Sequence, residues 1–130
     1  MRGYFAIGSE RISKPMNLGA LMRTANAFGA SFVFSINAEH RLRAAYQADT
    51  SKTAGQVPYY QWDNVDEMQL PRGCQMVGIE LTDDAVMLPT FRHPPQAAYM
   101  LGPEKGDLSP DILARCDHVV KIPTKFCINV

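Results

Sequence analysis

"YMLGPEKGDLSPDILARCDHVVKIP", residues 99–123, runs from an apolar stretch through a glycine loop into a Ser-Pro helix start, then out into a second apolar stretch. Strand, helix and strand in that order form a crossover unit, and a crossover leaves its two strands parallel. The rest of the chain repeats the pattern. Apolar strand-like runs stand at "YFAIG" (4–8), "SFVFSI" (31–36), "VPYYQW" (57–62), "QMVGIEL" (75–81), "AAYML" (97–101) and "HVVKIP" (118–123). Between them, Leu18, Leu21, Met22, Ala25 and Phe28 recur at helical spacing, with Asn17 as the expected N-cap and Gly29 as the stop. "AEHRLRAAYQAD" (38–49) reads as helical, "NVDEMQL" (64–70) as a short helix, and "TDDA" and "LPTFRHPPQ" as loops. Six strands alternating with helices predict an α/β fold: a mostly parallel sheet with helices on both faces.

An open sheet of this kind binds ligands beyond the carboxyl ends of its strands. Three such ends are prominent: "GIELTDDA", "MLGPEKGDLS" and "KIPTKFCINV". If they converge, Glu80, Gly102 and Ile122 line one pocket. The glycine loop invites a phosphate reading, but Gly102 and Gly106 fit neither a Walker A loop nor a dinucleotide fingerprint. Glu104 and Asp107 would repel a phosphate lying across the loop, so a neutral or cationic ligand suits it better. Taken alone, the loop is also an ordinary strand-to-helix turn.

Composition bounds the function classes. With 130 residues, 46% hydrophobic and 20% charged, the chain suits one domain with a real core. No run approaches the ~18 apolar residues of a membrane span, and the N-terminus lacks the apolar stretch of a signal peptide; we expect a cytoplasmic protein. Cys74, Cys116 and Cys127 have neither disulfide nor zinc-ligand spacing, so no metal is expected. The formal charge is zero, yet residues 1–60 carry seven basic and three acidic side chains and the remainder carries the compensating excess of acid. That asymmetry hints at a polyanion-facing half. Arg23 sits amid Leu21, Met22, Ala25 and Ala27, which is compatible with a snorkelling side chain or with a guanidinium aimed at a phosphate or sugar hydroxyl. His40, His93 and His118 are scattered and build no catalytic constellation.

Three segments taken together carry a resemblance. "NLGALMRTANAFGA", "YMLGPEKGDLSPDILARCDHVVKIP" and the closing "CINV" resemble, in order, the three motifs of the SpoU-type (TrmH-like) branch of the SPOUT RNA methyltransferases. Two departures are visible: Cys127 stands where the family commonly has Ser, and the chain stops at Val130 inside the third motif. The resemblance implies an α/β trefoil-knot fold in a single domain over 1–130. It also implies a C-terminal helix that is missing from this sequence, and a homodimer. It implies S-adenosylmethionine as cofactor, held by Ile79, Glu80, Leu81, Leu101, Gly102, Gly106, Ile122, Pro123, Cys127 and Ile128. The implied reaction is methylation of a ribose 2′-OH in tRNA or rRNA. By the same resemblance Arg23 activates the hydroxyl, while Asn17, Glu104 and Asn129 complete the catalytic set, Glu104 and Asn129 orienting Arg23, Asn17 or the ribose. A guanidinium is an awkward base, so Arg23 is expected to bind phosphate and stabilise alkoxide charge. The alternative is a degenerate SPOUT-like domain that binds RNA or nucleotide without methyl transfer; a cofactor-binding domain of another kind is a third option.

Overall fold

The computed structural model describes residues 3–40, 42 and 57–123. In chain order these form β1 (Tyr4–Glu10), α1 (Pro15–Ala27), β2 (Phe32–Ile36), β3 (Tyr59–Trp62), β4 (Gln75–Ile79), β5 (Val86–Met87), β6 (Gln96–Leu101), α2 (Pro110–Arg115) and β7 (His118–Lys121). Single 3-10 turns stand at Val65–Glu67 and Leu88–Thr90. The strands join in the order β3-β2-β1-β6-β4-β7-β5, and every ladder among the described residues is parallel.

Alternation along the strands divides the core in two. Phe34, Met76, Ala98 and Met100 point to one face, where Ile112 of α2 and Leu108 pack on them. Their neighbours Val33, Val77 and Ala97 point to the other face, where α1 contributes Ala25 and the segment around Leu88 and Phe91 closes the far side. Helices therefore cover both faces, as the strand runs predict. Strand order reverses between β1 and β6: β2 and β3 build outward on one side, β4, β7 and β5 on the other. The crevice beyond the carboxyl ends of β1 and β6 is thus the switch point at which open α/β sheets hold ligands.

Several sequence expectations need correction. Helix α1 begins at Pro15 with Lys14 as the capping residue, not at Asn17. Proline's fixed φ and missing N–H suit the first helical position, and the orphan N–H groups are satisfied from elsewhere in the chain, as described below. The helix expected over 64–70 shrinks to one turn. Asn64 Oδ1 accepts the Glu67 N–H at 3.1 Å and Glu67 Oε2 accepts the Asp63 N–H at 3.0 Å, after which Met68 and Leu70 turn onto the core. The strand expected through Leu81 ends at Ile79, and Val86–Met87, assigned to no element from the sequence, forms a two-residue edge strand. Gly29 does stop α1, at a φ of 78°, and Ser109 does cap α2, its Oγ accepting the Ile112 N–H at 3.3 Å. Most of the helix expected over 38–49, and the third motif with Cys127, Ile128 and Asn129, lie outside the described residues. So does the segment through which a knot would thread.

Candidate functional site

At the switch point the turn after β1 (11–14) meets the glycine loop after β6 (102–109), and carboxylates hold them together. Glu104 is the main tie. Its Oε2 accepts the Lys14 N–H at 2.9 Å and the Asn17 side-chain N–H at 3.1 Å, while its Oε1 accepts the Ser13 N–H at 3.1 Å and the Ser13 hydroxyl at 3.0 Å. Glu104 thereby caps α1 from across the sheet, where no side chain of Lys14 does so, and its charge faces the positive end of the helix dipole. Burial pushes this carboxyl up, but hydrogen bonds from its own backbone, Lys14, Asn17 and Ser13 outweigh it and bring the pKa down to about 2. The acidic residue that seemed ready for a cationic ligand is consumed by the fold.

Two further carboxylates brace the same loop. Glu80, just past β4, accepts the Leu108 N–H at 2.7 Å and the Leu81 N–H at 2.9 Å, and its own N–H donates to the Val120 carbonyl at 3.0 Å. Glu10, buried at the end of β1, accepts the Ser109 N–H at 2.8 Å. The chain's next residue, Arg11, has a φ of 56° and donates from its guanidinium to the Asp107 carbonyl. Sequence reading missed Glu10 and Arg11, which lay in an apparent turn. A carboxylate at the carboxyl end of an apolar central strand was the signal that could have found them.

The strand order settles which candidates meet. β6, β4 and β7 are neighbours, so Leu101 and Gly102, then Ile79, Glu80 and Leu81, then Ile122 and Pro123 follow one another along a single sheet margin. Gly106 sits in the loop above at a φ of 100°, a conformation that favours glycine. A β-carbon on Gly102 would meet the Leu108 nitrogen at 3.5 Å, the Asp107 carbonyl carbon at 3.8 Å and Leu108 Cγ at 3.9 Å, all ordinary contacts, so the fold itself does not demand glycine there. Leu81 is 53% exposed, an apolar side chain left open at the same margin. On the α1 side of the loop lies a cleft of about 390 Å³ lined by Ile7, Asn17, Leu21, Thr24, Leu101, Gly102 and Glu104, among others.

Arg23 stands apart from these groups. It is exposed on α1 and its guanidinium lies back over Gly19, where an added β-carbon would come within 3.3 Å of it. It has no ion pair among the described residues, and Glu104 holds Asn17, not Arg23. No group of three or more His, Cys, Asp or Glu that could hold a metal occurs among the described residues, and no helix there is long and apolar enough to cross a membrane.

Comparison with known proteins meets this geometry. The chain is 29% identical over 117 residues to a tRNA (guanosine(18)-2′-O)-methyltransferase of Escherichia coli (strain K12), covering 88% of this chain and 51% of that protein. It is 26% identical over 123 residues to the Mus musculus tRNA (guanosine(18)-2′-O)-methyltransferase TARBP1, covering 91% of this chain and 8% of that one. The chain therefore spans about half the length of the bacterial relative and a small part of the mouse one. In structure it is similar to an AdoMet-bound rRNA methyltransferase from Sinorhizobium meliloti, with a TM-score of 0.78 and 21% identity over 100% of this chain and 51% of that one. The sequence profile of the SpoU rRNA Methylase family matches residues 4–130. With nearly its whole length inside that profile and a parallel sheet that carries the motif loops to one margin, the chain belongs to the SpoU rRNA Methylase family.

Proposed function

We propose that this chain is the methyl-transfer domain of an S-adenosylmethionine-dependent RNA methyltransferase acting on a ribose 2′-OH of tRNA or rRNA. The observation that carries the reading is the adjacency of the β6, β4 and β7 ends, which gathers Gly102, Glu80 and Ile122 beneath a braced glycine loop. The names of the relatives agree with it.

The residues present fit such a cofactor. Backbone groups at Gly102 and Ile122 offer hydrogen bonds, the missing side chain at Gly102 lets a ligand approach the backbone closely, and exposed Leu81 supplies an apolar surface for a purine. Ile79, Glu80, Leu101, Gly106 and Pro123 complete the wall, and Cys127 and Ile128 are proposed to join it. When bound, the cofactor supplies an electrophilic methyl group on a sulfonium. The protein's part is to present the ribose and manage charge. A ribose hydroxyl is a poor nucleophile until its proton leaves. Arg23, a permanent cation, stabilises the developing alkoxide and binds the neighbouring phosphate. Asn17, fixed by Glu104, keeps the first turn of α1 in register with the glycine loop; Asn129 is proposed to face the ribose. Because Arg23 lies on the outer side of α1 and does not line the 390 Å³ cleft, we infer that it serves the site of a second copy in a homodimer. Met16 (80% exposed) and Phe28 (76%) mark the same helix as the interface.

Calorimetry with adenosylmethionine on the full-length protein, paired with methyl transfer to RNA from cells lacking the gene, tests the reading. Stoichiometric cofactor binding with methylated ribose in the product is expected. RNA binding without cofactor binding would favour the degenerate alternative.

A further inference from the structure

A second cleft, of about 310 Å³, opens on the outer side of Glu104 and is lined by Arg11, Ser13, Lys14, Pro103, Glu104 and Lys105. Three of its six lining residues are cations and one is an acid. That acid is not free, since Glu104 already accepts from Ser13, Lys14 and Asn17. Lys14 and Lys105 are exposed and make no ion pair among the described residues. Arg11 is held in place from two sides: its N–H donates to the Ile36 carbonyl at 2.8 Å and its guanidinium to the Asp107 carbonyl. The guanidinium has five donors in a fixed fork, and most of them find no acceptor among the described residues. Glu10, whose side chain is only 7% exposed, brings its Oε2 within 4.0 Å of the Arg11 Nε and is not among the lining residues.

Arg11 also keeps a left-handed backbone that non-glycine residues seldom adopt, and strain of this kind persists where the surroundings over-determine it, often at ligand clamps. Glu104 keeps its charge in this cleft, but four hydrogen-bond donors and the α1 N-terminus already face that charge, the three cations of the lining outnumber it, and Asp107 is not among the lining residues.

We propose that this cleft is a phosphodiester-binding site that grips the backbone of the substrate RNA, with Arg11 as the fixed fork and Lys14 and Lys105 as mobile charges. The proposal rests on the RNA-methyltransferase reading and adds the contact that positions the strand beside the cofactor margin. It gives a net-neutral chain a local place to hold a polyanion. A phosphate contact fixes register without reading sequence, so the cleft governs affinity and leaves the choice of nucleotide to other groups.

The test uses the full-length protein with two probes, a mixed tRNA pool and inorganic phosphate. RNA affinity is measured between about 50 and 200 mM salt for wild type, Lys14→Gln/Lys105→Gln, Lys14→Arg/Lys105→Arg and Arg11→Gln, with adenosylmethionine calorimetry alongside. In the double Gln variant the slope of log K against log salt should flatten by about 1 per lysine removed. Cofactor affinity should hold, and the Arg pair should restore the slope. An unchanged slope in a variant whose wild type binds RNA overturns the cleft assignment alone. Inorganic phosphate binding that the double variant loses, with the RNA slope unmoved, makes it a free-anion site and overturns the proposal too. Wild type that binds cofactor but no RNA overturns the reading on which it rests.

Discussion

Arg23 combines an exposed position with the absence of any ion pair among the described residues, so removing it should disturb little but chemistry. Arg23→Ala is expected to keep adenosylmethionine affinity and to lose methyl transfer by about 100-fold or more, the scale of losing one preorganised charge stabiliser. Calorimetry and single-turnover rates on the same preparation check this, and a variant that loses cofactor binding would move Arg23 into the other pocket. Gly102 gives the converse test. Since a β-carbon there meets nothing closer than 3.5 Å, Gly102→Val should fold with an unchanged circular dichroism spectrum and melting point. It should lose cofactor affinity because the valine occupies the ligand's approach. A folded variant with full affinity would remove the loop from the cofactor site.

At the scale of elements, the joint between α1 and the glycine loop depends on one ionised carboxylate. Glu104 titrates near 2 in the folded chain against an ordinary value of 4.5. Its contribution to stability is thus complete above about pH 4.5 and is lost as the pH falls toward 2. With partial solvent screening this is worth about 1–3 kcal/mol. Denaturant unfolding of wild type and Glu104→Gln should converge at the acid end of that window and separate above it; parallel curves would show that the carboxylate carries no such load. The same joint explains where sequence reading succeeded and failed. Apolar runs such as "SFVFSI" announce their strands because burial on both faces leaves little room for polar residues. The start of α1 was misplaced because its cap arrives from Glu104, ninety residues downstream of Lys14, and local pattern cannot register a partner so distant. Val86–Met87 escaped notice because two residues have no period. Glu80 was singled out for its place at a strand end, as a pocket-lining residue, and its bond to the loop was not foreseen.

For the molecule as a whole, α1 and its C-terminal cap carry the two most exposed large apolar side chains among the described residues, Met16 and Phe28. In the full-length protein Phe28→Asp should shift a dimer toward monomer in sedimentation or light scattering. On the proposed homodimer, in which Arg23 of one copy serves the site of the other, methyl transfer should fall in step with the monomer fraction. A variant that remains dimeric and active would place the interface elsewhere. Neutral overall charge does not conflict with an RNA partner, since recognition can rely on a few fixed cations while the rest of the surface stays balanced.

The central strand has one more consequence, which concerns the chain as it leaves the ribosome. β1 bonds to β2 on one side within some thirty residues, but its other edge waits for β6, whose Gln96 pairs with Tyr4 ninety-two residues later. At about 5–20 residues per second that edge stays open for roughly 5–20 s. Its apolar "YFAIG" meanwhile carries none of the charges or prolines that protect natural edges. The newborn N-terminal half is therefore an adhesive strand awaiting its mate. The yield of soluble protein should depend on how fast translation delivers residues 96–101, with cooler or chaperone-supplemented expression sparing β1 from pairing with the wrong copy.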